Sequence, residues 1–183
     1  MTLGLSDLVV ADITEGENGA ETYGTPEKLA EAMAAELSVT TAEGTLYADD
    51  AVSESVKEFV KGAIKLGIKE LSTAMTAKLL GQKTDADQVV YGDAADEPPY
   101  LAIGFRAKKT GGKYRYVWLY KVKFKLPTEK YATKGESITF NTPEIEGEFF
   151  KRADGLWKAD YTGLETDTVA ASFLSTVREK KTA

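Results

Sequence analysis

The chain of 183 residues contains no cysteine and no histidine. Without cysteine there can be neither disulfides nor thiolate metal sites, and the redox compartment is left open. Without histidine, Ser-His-Asp and Cys-His nucleophilic arrangements are excluded, and with both residues absent so are the usual zinc sites. The chemistry that remains is that of carboxylates, lysine, tyrosine or hard cations. No apolar run approaches the roughly 20 residues of a membrane-spanning helix, and the first residues, MTLGLSDLVV, lack the basic stretch that opens a signal peptide. The expectation is a soluble protein made in the cytoplasm, without membrane contact. The length suits one domain, 1–183, with extensions at both termini and a long loop at 14–25, and is sufficient to bury a core.

Charge is present but uneven. The net charge is −6, yet residues 1–100 hold 19 acidic and 7 basic side chains, net −12, while residues 101–183 hold 10 acidic and 16 basic, net +6. Two readings stand open. The halves can interleave in space and neutralise each other within one fold, or the asymmetry can guide head-to-tail self-association, since heterologous contacts generate rings or open filaments. Nucleic-acid binding through Lys108, Lys109, Lys113 and Arg115 is a weaker third, because basic hairpin tips are commonly just solvated.

The most structured stretch is 100–126, YLAIGFRAKKTGGKYRYVWLYKVKFKL, which reads as a long β-hairpin with two differently built faces. Lys108-Lys109-Thr110-Gly111-Gly112 is the turn, with adjacent glycines available for positive φ. A five-residue loop places Ala107 opposite Lys113, Ala102 opposite Trp118 and Gly104 opposite Tyr116, large side chains across from small ones. One face, Leu101, Ile103, Phe105, Val117 and Leu119, suits an internal core. The other carries Tyr100, Tyr114, Tyr116, Trp118 and Tyr120, whose rings have apolar bodies and polar tips. That face suits either a subunit contact or cover from elsewhere in the same chain. As subunit contacts the candidates are Tyr114, Tyr116, Trp118 and Tyr120, with Lys108 and Lys109 projecting at the tip.

Around the hairpin, 3–13 reads as a strand, 14–21 as a polar and mobile loop, and 27–35 as an alanine-rich helix. Residues 36–41 and 46–48 flank Glu43-Gly44 as a short hairpin. The stretch 59–71 repeats lysine every four residues, as a helix would. Gly62 and Gly67 oppose that reading at about 1 kcal/mol each, and the segment is assigned as a strand with Val60, Ile64, Leu66 and Ile68 on one face. A helix over 72–80 is signalled by Ser72 as N-cap and Gly81 as its stop. Strands are expected at 138–140, 145–150 and 156–161 with a turn at Asp154-Gly155, and a last helix over 167–178. The expected class is mainly β (α+β): two packed antiparallel sheets, as a sandwich or barrel, with a flanking helix and an extended hairpin.

Glu144, Glu146 and Glu148 alternate on one strand and place three carboxylates on one face. General-acid chemistry needs one such group in a poorly solvated place, whereas three on a regular strand fit a salt ladder with Lys121, Lys123 and Lys125, or a charged protective edge. Asp49-Asp50 and the acidic loop from Asp85 to Glu97 lack calcium-loop spacing. No phosphate-cradling loop or nucleophile elbow is present. The expectation is no catalytic residue, no metal, no cofactor and no enzymatic activity.

Seven segments carry a resemblance that runs in order along most of the chain: Leu5-Ser6-Asp7-Leu8, Tyr23-Gly24-Thr25-Pro26, Leu46-Tyr47-Ala48-Asp49-Asp50, Leu79-Leu80-Gly81, Pro99-Tyr100-Leu101-Ala102-Ile103-Gly104-Phe105-Arg106, Trp118-Leu119-Tyr120-Lys121-Val122 and Glu144-Ile145-Glu146-Gly147. In these the chain resembles the phi13-type group of major tail proteins, the tube subunits of long, non-contractile phage tails. The resemblance implies a tail-tube fold whose sheets join across subunits into hexameric rings, stacked as a hollow tube for DNA ejection. It implies a virion protein whose partners are other copies of itself, the tail terminator, tape measure and baseplate proteins, with DNA passing unbound. It also makes Glu144, Glu146 and Glu148 candidates for a phosphate-repelling lumen. Two other readings remain: the tube of a phage-derived bacteriocin or gene-transfer particle, and a monomeric β-sandwich that binds carbohydrate or protein through its Tyr/Trp face.

Overall fold

The computed structural model describes residues 1–16, 19–48, 51–127 and 142–180. In chain order the elements are β1 (Thr2–Glu15), β2 (Glu21–Tyr23), β3 (Glu27–Ala30), β4 (Ala32–Ala48), β5 (Ala51–Ile68), α1 (Thr73–Leu80), β6 (Lys83–Thr84), β7 (Val90–Tyr91), β8 (Tyr100–Lys109), β9 (Lys113–Phe124), β10 (Glu144–Phe150), β11 (Lys158–Leu164) and α2 (Thr168–Phe173). The mainly β expectation holds.

The hairpin β8–β9 forms with a tighter turn than the sequence suggested. Lys108 and Lys109 continue the strand, because β1 pairs alongside them at Gly4 and Thr2, and the loop shrinks to Thr110, Gly111 and Gly112 with φ of +82° and +72° at the glycines. The register therefore slides by two: Ala107 opposes Arg115, and Gly104, not Ala102, opposes Trp118. A slip of two leaves the side chains up to Tyr120 on their expected faces, while a second register shift between Leu101 and Ile103 carries Val122 and Phe124 over to the aliphatic side. Gly104 is required where it stands, since a Cβ there would lie 2.8 Å from the Trp118 ring.

One nine-stranded sheet runs in the order β2-β1-β8-β9-β10-β5-β4, with β3 beside β1 and β11 beside β9; β6 and β7 form a separate pair. The second edge of β9 is shared, with β11 along Lys113–Leu119 and β10 along Lys121–Phe124. β3, paired with β1, passes into β4, paired with β5, across Glu31 alone. Opposite ends of the strand path are thus brought to one corner, and the sheet bends around its core. Among the described residues no ladder joins β3 to β4, so the barrel is not closed.

Within the bend lie Leu8, Val10, Ile64, Leu66, Ile68, Leu101, Ile103, Leu119, Val122 and Phe149, with Met75, Leu79 and Leu80 of α1. α1 is bounded as its sequence signals required: Ser72 Oγ accepts from the Met75 amide at 3.2 Å, and Gly81 takes a left-handed conformation and donates to the Ala77 carbonyl. The opposite face of β8–β9 packs Tyr116, Trp118 and Tyr120 under Ala170, Phe173 and Val177.

Several local expectations are corrected. Residues 27–35 are not helical; Leu8 and Val9 pair with Ala30 and Lys28, and that tertiary pairing overrides the modest helix preference of alanine. Glu43-Gly44 is no turn: β4 runs unbroken through it, with Gly44 opposite Val56. The loop expected at 14–25 is a hairpin, Ile13 to Glu15 pairing with Glu21 to Tyr23. The 59–71 segment is a strand as expected, but the register shifts between Thr40 and Thr41, whose partners are Lys61 and Phe59. This bulge leaves Val60 exposed and turns Phe59 inward onto Trp157 at 4.8 Å between ring centres. The last helix is shorter than 167–178; Asp167 stands at its N-cap, but its carboxylate makes no cap bond and instead accepts from the Leu164 amide and the Tyr161 hydroxyl. The strand expected at 138–140 lies outside the described residues.

Candidate assembly surfaces

The aromatic face of β9 is covered by its own chain. Tyr116, Trp118 and Tyr120 are 2%, 0% and 3% exposed, and the C-terminal segment is fastened over them by two hydrogen bonds: Trp118 Nε1 donates to the Phe173 carbonyl at 2.6 Å, and the Tyr120 hydroxyl donates to the Arg178 carbonyl at 2.5 Å. Tyr114, at the rim, is half-buried under the Arg106 guanidinium, 4.7 Å from the ring centre. The expectation that these four residues form a subunit contact is therefore corrected for the three that are buried, which present no free surface. Amphipathic rings on a strand demand a cover, and the pattern of the strand does not say which chain provides it.

Glu144, Glu146 and Glu148 share a face, as expected, but are paired. Lys65 lies 2.8 Å from Glu144 and 3.6 Å from Glu146, while Glu148 accepts from Lys61 and Lys125, both at 3.1 Å. Hydrogen bonds from Lys125 and Lys61 hold the Glu148 carboxyl below the usual carboxylate range. Of the lysines expected to form this ladder only Lys125 does so; Lys123 pairs with Glu97, and Lys121 turns to Glu15 and Glu21. The face is close to charge balance and lacks the surplus of negative charge on which the lumen expectation rested. Among the described residues no group of acidic side chains is arranged to hold a metal ion.

A buried charged cluster had no sequence signal. Glu21, whose side chain is 4% exposed, lies 2.8 Å from Lys121 Nζ and 3.5 Å from Arg152 Nε. The Arg152 guanidinium sits between the rings of Tyr23 and Tyr120, at 5.5 and 5.2 Å, and its Nη1 has no hydrogen-bond partner among the described residues. Burial raises the Tyr23 hydroxyl above its ordinary range, and likewise that of Tyr120, despite the nearby guanidinium. Burial alone would lower Lys121, but hydrogen bonds to Glu15 and Glu21 raise it. The cluster links β2, β9 and the segment after β10.

Two features remain uncovered. The first is the arm formed by β4 and β5 beyond Gly62. At Gly62 the Phe149 ring occupies the space a Cβ would take, and Phe59, stacked on Trp157, is the β5 side chain beyond it that still reaches the core. From Val39 opposite Gly62 to Ala48 opposite Ala51 the ribbon continues for about 30 Å at roughly 3.3 Å per residue. Val39, Val56 and Val60 are all exposed along it, with Leu37 exposed at its root opposite Ile64, and Glu43 pairs with Lys57 at 2.6 Å. Sequence reading missed the arm because β4 has no alternating apolar pattern; a ribbon with no core beneath it has no reason to alternate. The second is the β8–β9 tip. Lys108 is exposed and Lys109 half-buried, neither has a carboxylate partner among the described residues, and the N-terminal ammonium is held beside them, donating to Thr110 Oγ1 at 3.1 Å.

Compared with known proteins, the chain matches no family model and no curated protein.

Proposed function

We propose that this chain is a structural subunit that assembles with copies of itself, and that the assembly is the stacked-ring tube of a phage tail through which DNA is ejected. The β4–β5 arm carries the reading. An isolated two-stranded ribbon is at best marginally stable in water, and an uncovered strand edge with exposed apolar side chains is a template for pairing with another chain. β4 has such an edge, lies at the end of the strand path, and bears Leu37 and Val39 exposed at 38% and 46%. A second copy supplies both cover for the ribbon and a partner for the edge.

Other observations agree with a structural role. The chain has no histidine or cysteine, and Glu21, the buried carboxylate among the described residues, is held in ion pairs. A monomeric sugar- or protein-binding module would need an exposed aromatic platform, and the candidate platform is covered from within the chain. In the tube reading the protein resides in the virion, meets tail terminator, tape measure and baseplate proteins at its ends, and lets DNA pass unbound. A phage-derived particle would use the same contacts and differ only in what its tube carries.

The test is electron microscopy of the purified full chain over a concentration series, beside sedimentation velocity. Rings or hollow tubes are the expected result. A single monomeric species at every concentration overturns the reading.

A further inference from the structure

Part of the charge asymmetry between the two halves of the sequence is neutralised inside the fold. Arg106 pairs with Asp7, Lys121 with Glu15 and Glu21, Arg152 with Glu21, and Lys123 with Glu97. Two groups of like charge left without partners stand at opposite ends of β8, the acidic one with a single lysine, Lys83, in it. At the β8–β9 tip stand the N-terminal ammonium, Lys108, Lys109 and Lys113, without a carboxylate partner among the described residues. At the other end, the loop that carries β6 and β7 and leads into β8 holds Asp85, Asp87, Asp93 and Asp96, likewise without a cationic partner among the described residues.

Both ends also expose apolar side chains: Met1 and Leu3 at the basic end, at 89% and 62%, and Val89 and Tyr91 at the acidic end, at 47% and 57%. Apolar groups set among charges of one sign, facing the same arrangement with the opposite sign, have the core and rim composition of a protein interface.

We propose that the basic tip of one copy docks on the acidic Asp85–Asp96 loop of the next, an end-to-end contact that rests on the self-assembly reading above. Within one copy the two ends are separated by the ten residues of β8, about 30 Å. That is several times the Debye length of roughly 8 Å at physiological salt, so neither end neutralises the other internally. Because the two surfaces differ, the contact is heterologous, and each added copy leaves both surfaces free at the ends of the stack, as an open filament requires.

The loop holds its form without a partner. The Asp85 carboxylate accepts from the amides of Asp87 and Val89 and from the Tyr91 hydroxyl, Asp93 accepts from the Ala95 amide, and Asp96 accepts from the Asp93 amide. These bonds keep Asp85 below the usual carboxylate range, the Val89 amide contributing most. A loop already ordered loses less freedom on binding. A basic tip alone would also suit DNA, but that partner leaves the acidic, apolar loop at the far end with nothing to meet.

The test uses the full chain at low salt, following assembly by light scattering and folding by thermal unfolding. Lys108→Glu with Lys109→Glu should slow assembly at least tenfold with an unchanged unfolding midpoint. Asp87→Lys, whose side chain makes no hydrogen bond among the described residues, should slow it also. Combining all three in one chain should recover part of the rate, because the charges then match with their signs exchanged. Tubes forming at the wild-type rate from the Lys108/Lys109 variant overturn the contact while leaving the tube reading intact. A wild-type chain that never assembles overturns both. Slowing by the tip variant with no effect of Asp87→Lys and no rescue, or loss of DNA binding in a gel shift with assembly unchanged, removes the loop as the partner.

Discussion

One glycine and one carboxylate carry more of this fold than their sizes suggest. Gly62 lies under Phe149, where a Cβ would fall 2.0 Å from the ring, and that ring belongs to a stack with Phe59 and Trp157 that closes the core at the root of the arm. Gly62→Ala should therefore destabilise the chain by about 1–3 kcal/mol, the range for overpacking a filled core. Gly4→Ala, with nothing within 4 Å of its Cβ position, should leave the denaturant midpoint near that of wild type; an equal loss from both would refute the packing argument. Glu21→Gln removes an anion shared by Lys121 and Arg152 in a nearly dry place, and should lower stability by about 1–3 kcal/mol, less than for a charge left wholly unpartnered, because Lys121 keeps Glu15 and Arg152 keeps Asp154. If urea titration shows no change, Glu21 is not the counter-ion of the cluster. At this scale the sequence was partly legible. The need for small residues opposite large rings on β8–β9 was readable, but which glycine faced Trp118 depended on the number of turn residues, and that was decided by β1 pairing beside Lys108 and Lys109. Glu21 could not be read at all, since its two cations are 100 and 131 positions away.

Among the elements, those with strong local signals were found and those defined by partners were not. α1 had a cap, an apolar stripe and a stop, and β5 had two glycines and three inward aliphatic residues, Ile64, Leu66 and Ile68. β4 had none of these. Its composition of Ala, Glu, Ser and Thr reads as helix or turn, and only pairing with β5 makes it a strand of 17 residues. The C-terminal segment shows the reverse: its signals point to a helix over 167–178, yet the chain leaves the helix after Phe173 and reaches the aromatic face as an irregular strap. The arm gives a prediction at this scale. Val39→Lys with Val56→Lys places charge on exposed positions of the ribbon, where substitutions usually change folding stability by no more than about 0.5 kcal/mol. The same pair should prevent or strongly reduce assembly, read as loss of the fast-sedimenting species. If the double variant assembles as wild type does, the arm is not the contact.

For the whole molecule, the missing residue types set the response to pH. With no histidine or cysteine in the chain, no side chain has an ordinary pKa between about 5.5 and 7, so thermal stability and assembly should both be flat across that interval. The decline comes on the acid side, and its sign follows from the ion pairs. Hydrogen bonds from Lys125 and Lys61 hold Glu148 below its ordinary value, and a hydrogen bond from Arg115 does the same for Asp160. A carboxyl whose folded pKa is depressed binds fewer protons in the folded chain than in the unfolded one. It contributes its full stabilisation above the unfolded value, about 4.3 for Glu and 3.9 for Asp, and loses it as pH falls through the folded value. Both groups sit at ladder crossings, Glu148 between β5 and β9 and Asp160 opposite Val117 beside Arg115, so their protonation loosens the part of the sheet that holds β10 and β11 to its centre. The unfolding midpoint should stay constant from about pH 7 to 5.5 and fall steadily below about 4.3, with Glu148→Gln flattening part of that fall. A midpoint that changed between pH 7 and 5.5, or rose on acidification, would show that a group other than these carboxylates governs the proton response of the fold.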